Sequence, residues 1–226
     1  MKNGGYIGTI SKQNYIPCGT GMNYDESAAE SKRQELLDAA LSAGPPVREL
    51  PAAVLESVLE AFTSVTPPQK PEVCLELVTV SSLHTRPKAQ SHKPGNVVLN
   101  WRKLVDIVPD ITLAGLGAVT LPVAPVVAAA LAGLYVWNKI WRGSVEDFSE
   151  VEALTILALW QHRNGENKVN ENDGLVKTNQ LRAQYSLPTM PPGQYAAVVN
   201  RLVEIHCIEL ENGVIWLREW VRVKYS

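Results

Sequence analysis

Apolar residues recur at helical spacing in several separate stretches of this chain and alternate in a few others. Residues 25–42 (DESAAESKRQELLDAALS) open on acidic residues, continue with strong helix formers and stop before Gly44-Pro45-Pro46, which predicts a helix. Within residues 50–62, Val54, Leu55, Val58, Leu59 and Phe62 share one helical face. Pro51 stands near the first turn and Pro67-Pro68 lie beyond the end, so a second, one-faced helix follows. Residues 73–80 (VCLELVTV) alternate as a strand does, whereas residues 1–23, rich in Gly, Asn, Ser and Thr, have no sustained period and read as irregular.

The longest apolar feature is residues 111–138, ITLAGLGAVTLPVAPVVAAALAGLYVWN, which contain no charged side chain. Just upstream, Leu104, Ile107, Val108 and Ile111 fall on one helical face of residues 100–117, and Pro109 is expected to kink or interrupt that helix. A more uniformly apolar helix is predicted over residues 123–141, about 28 Å long at 1.5 Å per residue. Gly115, Gly117, Pro122 and Pro125 place a turn or a broken helix between the two. Trp101, Arg102 and Lys103 stand at one margin, and Trp137, Lys139, Trp141 and Arg142 at the other. Indoles and cations of this kind suit a membrane–water interface, because each has an apolar body and a polar tip.

Three arrangements fit this run: a single span over residues 119–138, a re-entrant hairpin with both basic flanks on one side, and a helical hairpin inside a protein core. A span needs roughly 20 mostly apolar residues and a two-pass hairpin about 40, so a full two-pass insertion is excluded. The abundance of Ala and Gly weakens a bilayer reading, and the flanking Trp, Lys and Arg favour it.

In the C-terminal third, residues 148–162 place Ser149 three residues ahead of Glu152, a capping box before an apolar run. NGENKVNENDG reads as a polar loop, residues 175–185 as a short helix, and residues 194–205 as a helix with Tyr195, Val198, Val199 and Leu202 inward. Residues 207–210 and 214–217 flank Glu211-Asn212-Gly213, and an Asn-Gly between apolar runs is a strong hairpin signal. Trp160, Trp216 and Trp220 are expected in the core of this region.

Three helices followed by a hairpin, ending in NRLVEIHCIELENGVIWLREWVRV, resemble the winged helix-turn-helix superfamily over residues 149–223. The resemblance implies a third helix that reads DNA or a surface that receives a protein, and fold alone does not choose between them. Nucleic-acid contact candidates are Gln194, Asn200 and Arg201 on the third helix, with Arg218 and Arg222 after the wing. Glu204, Glu209 and Glu211 lie among them, a thin basic surface for a phosphate backbone.

Net charge is −2 and the pI about 6.1, which argues against bulk attraction to nucleic acid. From Leu77 through Val105, however, no Asp or Glu occurs, while Arg86, Lys88, Lys93, Arg102 and Lys103 do. The charges suit either a basic segment beside anionic headgroups or a solvated linker. Cys18, Cys74 and Cys207 are odd in number and far apart, so neither a disulfide framework nor a zinc site is indicated. No cofactor is implied: Gly115-Leu116-Gly117 begins a dinucleotide fingerprint, but Thr120 replaces its third glycine and prolines follow. His84 and His92 lack metal-ligating neighbours. Asp106 and Asp110, four apart beside Pro109, look like polar marks on an interfacial helix, and they become functional candidates if that helix enters a bilayer. No apolar leader precedes the first helix.

The sequence therefore predicts a mostly α chain: a helical region with a short strand (1–80), a basic linker (81–99), an apolar helical hairpin (100–143) and a C-terminal α+β winged helix (147–226). The expected role is a non-enzymatic, membrane-associated adaptor or effector with a protein partner, located in the cytoplasm at or in the inner or plasma membrane. A soluble winged-helix DNA-binding regulator is the alternative, with a homo-oligomer compatible with either.

Overall fold

Helix α1 (Glu26–Leu41) begins where the Asp25 carboxylate accepts the Ala28 N–H (3.2 Å), a side-chain cap at the acidic start of the predicted helix. The computed structural model describes residues 25–69, 94–107, 125–144 and 146–225, within which there are eight helices and two three-stranded antiparallel sheets. The fold is thus α+β with helices dominant. Pro45-Pro46, read in the sequence as a stop, instead opens a short helix, α2 (Pro45–Arg48), because proline at the first helical positions forgoes only an N–H that has no intrahelical partner. Helix α3 (Ala52–Phe62) follows Pro51 and buries Leu55, Val58 and Phe62.

The chain then passes directly into β1 (Thr63–Thr66), a strand the sequence pattern did not reveal. Strand β2 (Gly95–Asn100) lies in what reads in the sequence as the end of a basic linker, and its alternation is plain in three dimensions: Val97 and Leu99 are buried, with Asn96, Val98 and Asn100 on the other face. The predicted strand 73–80 lies outside the described residues, as do the irregular residues 1–23. Asn100 caps α4 (Trp101–Asp106) by accepting the Lys103 N–H at 3.0 Å.

Helix α5 (Pro125–Arg142) is the described part of the apolar run. The link between α4 and α5 lies outside the described residues, and much of the predicted helical hairpin falls there. Every residue from Val126 to Asn138 is buried, and α5 packs on α1, α2, α3, α4 and the next helix, α6 (Glu150–Gln161). Close approach is possible because the small side chains leave room. A Cβ on Gly133 would stand 2.8 Å from Leu104 Cδ2 and 3.1 Å from Trp101 Cζ3. Among the described residues, no helix is long and apolar enough to cross a membrane.

The capping box of α6 is present, with the Ser149 N–H donating to the Glu152 carboxylate at 2.7 Å. The supposed polar loop after it contains β3 (Lys168–Asn170), and Asn170 caps α7 (Glu171–Gln184), which starts four residues earlier than expected. Polar residues here are helix-capping chemistry rather than loop composition. Helix α8 (Pro192–Glu204) buries Tyr195, Val198, Val199 and Leu202 as expected. Strands β4 (Ile208–Glu211) and β5 (Val214–Leu217) join through Asn212 (φ 52°) and Gly213 (φ 74°), the two positive φ angles that a tight hairpin turn requires. The sheet order is β3-β5-β4.

The last strand, β6 (Trp220–Tyr225), leaves that sheet and pairs with β2, giving the order β1-β2-β6. One continuous core, from Leu36 to Val221, joins both ends of the chain. At its centre the Trp137 indole donates to the Ile205 carbonyl (2.9 Å), and Phe62, Trp101 and Trp137 form a chain of ring contacts at 5.1 and 5.9 Å. Trp160 is buried as expected, but Trp216 is 40% and Trp220 58% exposed, a correction to their assignment to the core. Both occupy outward positions of their strands, a matter of register that amino-acid type does not reveal.

One packing detail gives a stability test. A Cβ on Gly174 would meet the Tyr195 hydroxyl at 2.2 Å and Leu159 Cδ2 at 3.0 Å, and that buried hydroxyl has no hydrogen-bond partner among the described residues. Gly174→Ala is therefore expected to lower stability by about 1–2 kcal/mol despite alanine's better helix propensity. Tyr195→Phe alone should be near neutral, and the double variant should regain most of the loss. A urea-denaturation cycle measures this, and simple additivity would contradict the assigned contact.

Candidate functional site

The exposed face of α8 and the segment ahead of α6 enclose an open groove of about 640 Å³, lined by Glu146, Asp147, Ala197, Asn200, Arg201 and Glu204. Ala197, Asn200 and Glu204 present themselves to solvent because Val198, Val199 and Leu202 take the buried positions of the same helix. Arg201 is held at the groove wall from several sides. Its guanidinium donates to the Asp147 carbonyl, lies 3.5 Å from the Glu152 carboxylate and 4.0 Å from Glu146, and stacks 5.0 Å from the Phe148 ring centre. Glu146 also pairs with Arg142 at 2.9 Å.

Three acidic side chains, Glu146, Asp147 and Glu204, therefore line this groove with one guanidinium, Arg201, and the ion pairs of Glu152 with Arg201 and of Arg142 with Glu146 stand beside it. The surplus is negative, which opposes a phosphate backbone and favours a cationic ligand. Sequence reasoning found Asn200 and Arg201 but missed Glu146 and Asp147. Their signal was available, since both stand immediately before the Ser149 capping box and so at the start of α6.

The remaining nucleic-acid candidates are dispersed. Gln194 is exposed in the first turn of α8. Arg218 lies at the outer face of the β3-β5-β4 sheet, where it pairs with Glu209 (2.5 Å) and covers the Trp141 ring at 5.6 Å. Trp141 in turn contacts His206 at 5.3 Å, and Lys168 sits over Trp216 at 3.9 Å. Arg222 belongs to the other sheet and donates to Asn96 Oδ1 (2.9 Å). The five residues thus do not form one surface.

The residues proposed for a membrane interface also separate. Trp101 and Trp137 are in the core, at 1% and 0% exposure, whereas Trp141 is at the surface. Arg102 reaches Glu219 at 3.9 Å, Lys139 reaches Glu35 at 3.6 Å, and Lys103 is exposed. Asp106 is exposed, while His84, His92 and Asp110 lie outside the described residues.

Chemistry elsewhere is sparse. Burial pushes the Cys207 thiol well above its usual range, which keeps it protonated and a poor nucleophile. Tyr135 is raised chiefly by burial, its hydroxyl accepting the Phe148 N–H at 3.3 Å behind the groove. Among the described residues no group of three or more His, Cys, Asp or Glu could hold a metal ion. Comparison with protein-family models, characterised proteins and solved structures finds no match to this chain.

Proposed function

We propose that this chain is a non-enzymatic interaction protein whose residues 149–223 serve as a winged-helix module, and that the acidic groove beside α8 receives a basic segment of a protein partner. The order α6, β3, α7, α8, β4, β5 and the sheet order β3-β5-β4 are compatible with such a module. The observation that carries the choice of partner is the groove's charge. In a winged helix the third helix is the usual DNA reader, yet here Glu146, Asp147 and Glu204 line its exposed side and Arg201 is already engaged by acidic groups. Of the apolar run, residues 126–138 are enclosed by protein.

Titration of the whole protein with a short fluorescent Lys/Arg-rich peptide tests the reading. Binding should saturate, weaken with salt, and fall at least tenfold in Glu146→Lys/Glu204→Lys, whereas Glu56→Lys on exposed α3 should leave it unchanged. With random-sequence duplex DNA, little binding is expected at physiological salt. Submicromolar duplex binding whose salt slope drops by about two phosphate contacts in Arg201→Ala/Arg218→Ala would replace this function with the DNA-regulator alternative.

A further inference from the structure

We infer that the outward face of the β1-β2-β6 sheet is a binding platform for single-stranded nucleic acid, with Trp220 as its stacking ring. This face is remote in chemistry from the acidic groove, and either assignment can fail without the other.

The register defines its composition. Thr66, Asn96 and Lys224 form one row, Ser64, Val98 and Arg222 the next, and Asn100 and Trp220 the third. The opposite face, with Val65, Val97, Leu99, Val221 and Val223, is turned to the core. None of the eight outward residues is acidic. At the Asn100 end, that side chain accepts the Lys103 N–H, which keeps the exposed Lys103 and its neighbour Arg102 beside the face. Glu219, which is partly occupied by Asn167 (3.1 Å) and approaches Arg102 at 3.9 Å, is the acid nearest this end among the described ion pairs. Lys103 and Lys224 form no ion pair among the described residues. Asn96, Val98, Asn100, Arg102 and Lys103 of this surface belong to the acid-free run from Leu77 through Val105, whose charges the groove leaves unused.

Geometry and chemistry narrow the occupant. Trp220 is the most exposed large hydrophobic side chain among the described residues, and neither a ring nor a cation covers it. Trp220, Arg222 and Lys224 project from one side of β6, so their side chains repeat about every 6.8 Å at the usual rise of an antiparallel strand. That repeat is close to the separation of successive phosphates in an extended single strand. An indole offers a face to an unpaired base, cations track the backbone, and the Asn96 and Asn100 amides and the Ser64 and Thr66 hydroxyls supply hydrogen bonds. A duplex keeps its base faces stacked and gains nothing from Trp220. An anionic bilayer would have only Trp220 and Val98 to insert, too little apolar surface for a stable interfacial grip.

Fluorescence anisotropy of labelled oligo(dT) and oligo(U) with the full chain provides the test, run beside a duplex and phosphatidylserine vesicles. Salt-sensitive binding of the single strands is expected. Trp220→Ala should weaken it at least about fivefold, and Trp220→Phe should retain most of it. Arg222→Gln/Lys224→Gln should lower the salt slope by about 1.4, the value for two phosphate contacts on a single strand. Arg218→Gln, whose side chain pairs with Glu209 of the other sheet, should change nothing. Because Trp220 and Lys224 are exposed, these variants should fold, which circular dichroism and thermal melting verify; if Trp220→Ala does not, Trp220→Phe and Lys224→Gln carry the comparison. Absence of single-strand binding at low salt, indifference to Trp220→Ala in a folded protein, or equally tight duplex or vesicle binding with the same losses would each overturn the assignment.

Discussion

Ala129→Arg is expected to abolish cooperative folding of the whole chain. Ala129 is completely buried, in a helix where every position from Val126 to Asn138 is enclosed by neighbouring helices. A guanidinium placed there loses its hydration with no carboxylate to meet it, at a cost of several kcal/mol. The added volume must also displace packed side chains, about 1–3 kcal/mol more. Together these rival the roughly 5–15 kcal/mol by which a typical domain is stable. Thermal melting followed by circular dichroism should show no transition. If residues 125–138 were instead a bilayer-facing segment, the substitution would release a folded protein from membranes. A variant that is recovered in solution with an unchanged melt would therefore sink the packing described for α5.

Trp137→Ala should be the most damaging truncation at the centre of the molecule, at about 3–5 kcal/mol. Trp137 has no exposed surface, packs on Trp101, and supplies the N–H that satisfies the Ile205 carbonyl. Truncation leaves a cavity and strips a buried acceptor of its donor. Trp137→Phe should fall between the two, since it restores much of the ring but not the donor. Trp141→Ala, at the surface four residues on, should cost about 1 kcal/mol, since it loses only its contacts with Arg218 and His206. Equilibrium urea denaturation of the three variants measures the order. Equal, mild effects at 137 and 141 would mean that both rings sit in a common interfacial environment, contrary to the structure.

The division between α8 and the groove shows how far pattern alone reaches. Tyr195, Val198, Val199 and Leu202 form the buried stripe that their spacing predicts, and this also fixes Asn200, Arg201 and Glu204 as outward. Spacing within one helix cannot say what lies opposite that outward side. Glu146 and Asp147 arrive there from the segment ahead of α6, and their carboxylates reverse the sign of the surface on which Arg201 would otherwise read as a DNA contact. The same holds for Trp216 and Trp220. A tryptophan next to apolar neighbours suggests burial, but alternate residues of a strand face opposite ways, and only the partner strand and the layer beneath decide which side is the core.

What the sequence determined by itself is local. The Asp25 cap, the Ser149–Glu152 capping box, the Asn212-Gly213 turn and the amphipathic stripes of α3 and α8 each depend on residues within one or two turns of chain, where hydrogen-bond geometry and backbone preference act directly. What the tertiary structure decided is non-local. Whether the apolar α5 faces lipid or protein does not depend on its own residues, because burial of apolar surface is non-directional and any dry surroundings satisfy it. Strand β2 was hidden in a basic stretch because its pairing with β6 joins positions such as Asn96 and Lys224, far apart in the chain, and a ladder of backbone hydrogen bonds leaves no mark on composition. Trp220, Arg222 and Lys224 share one side of β6 by alternation alone, but Ser64, Thr66, Asn96 and Asn100 join them in one surface only through strand pairing.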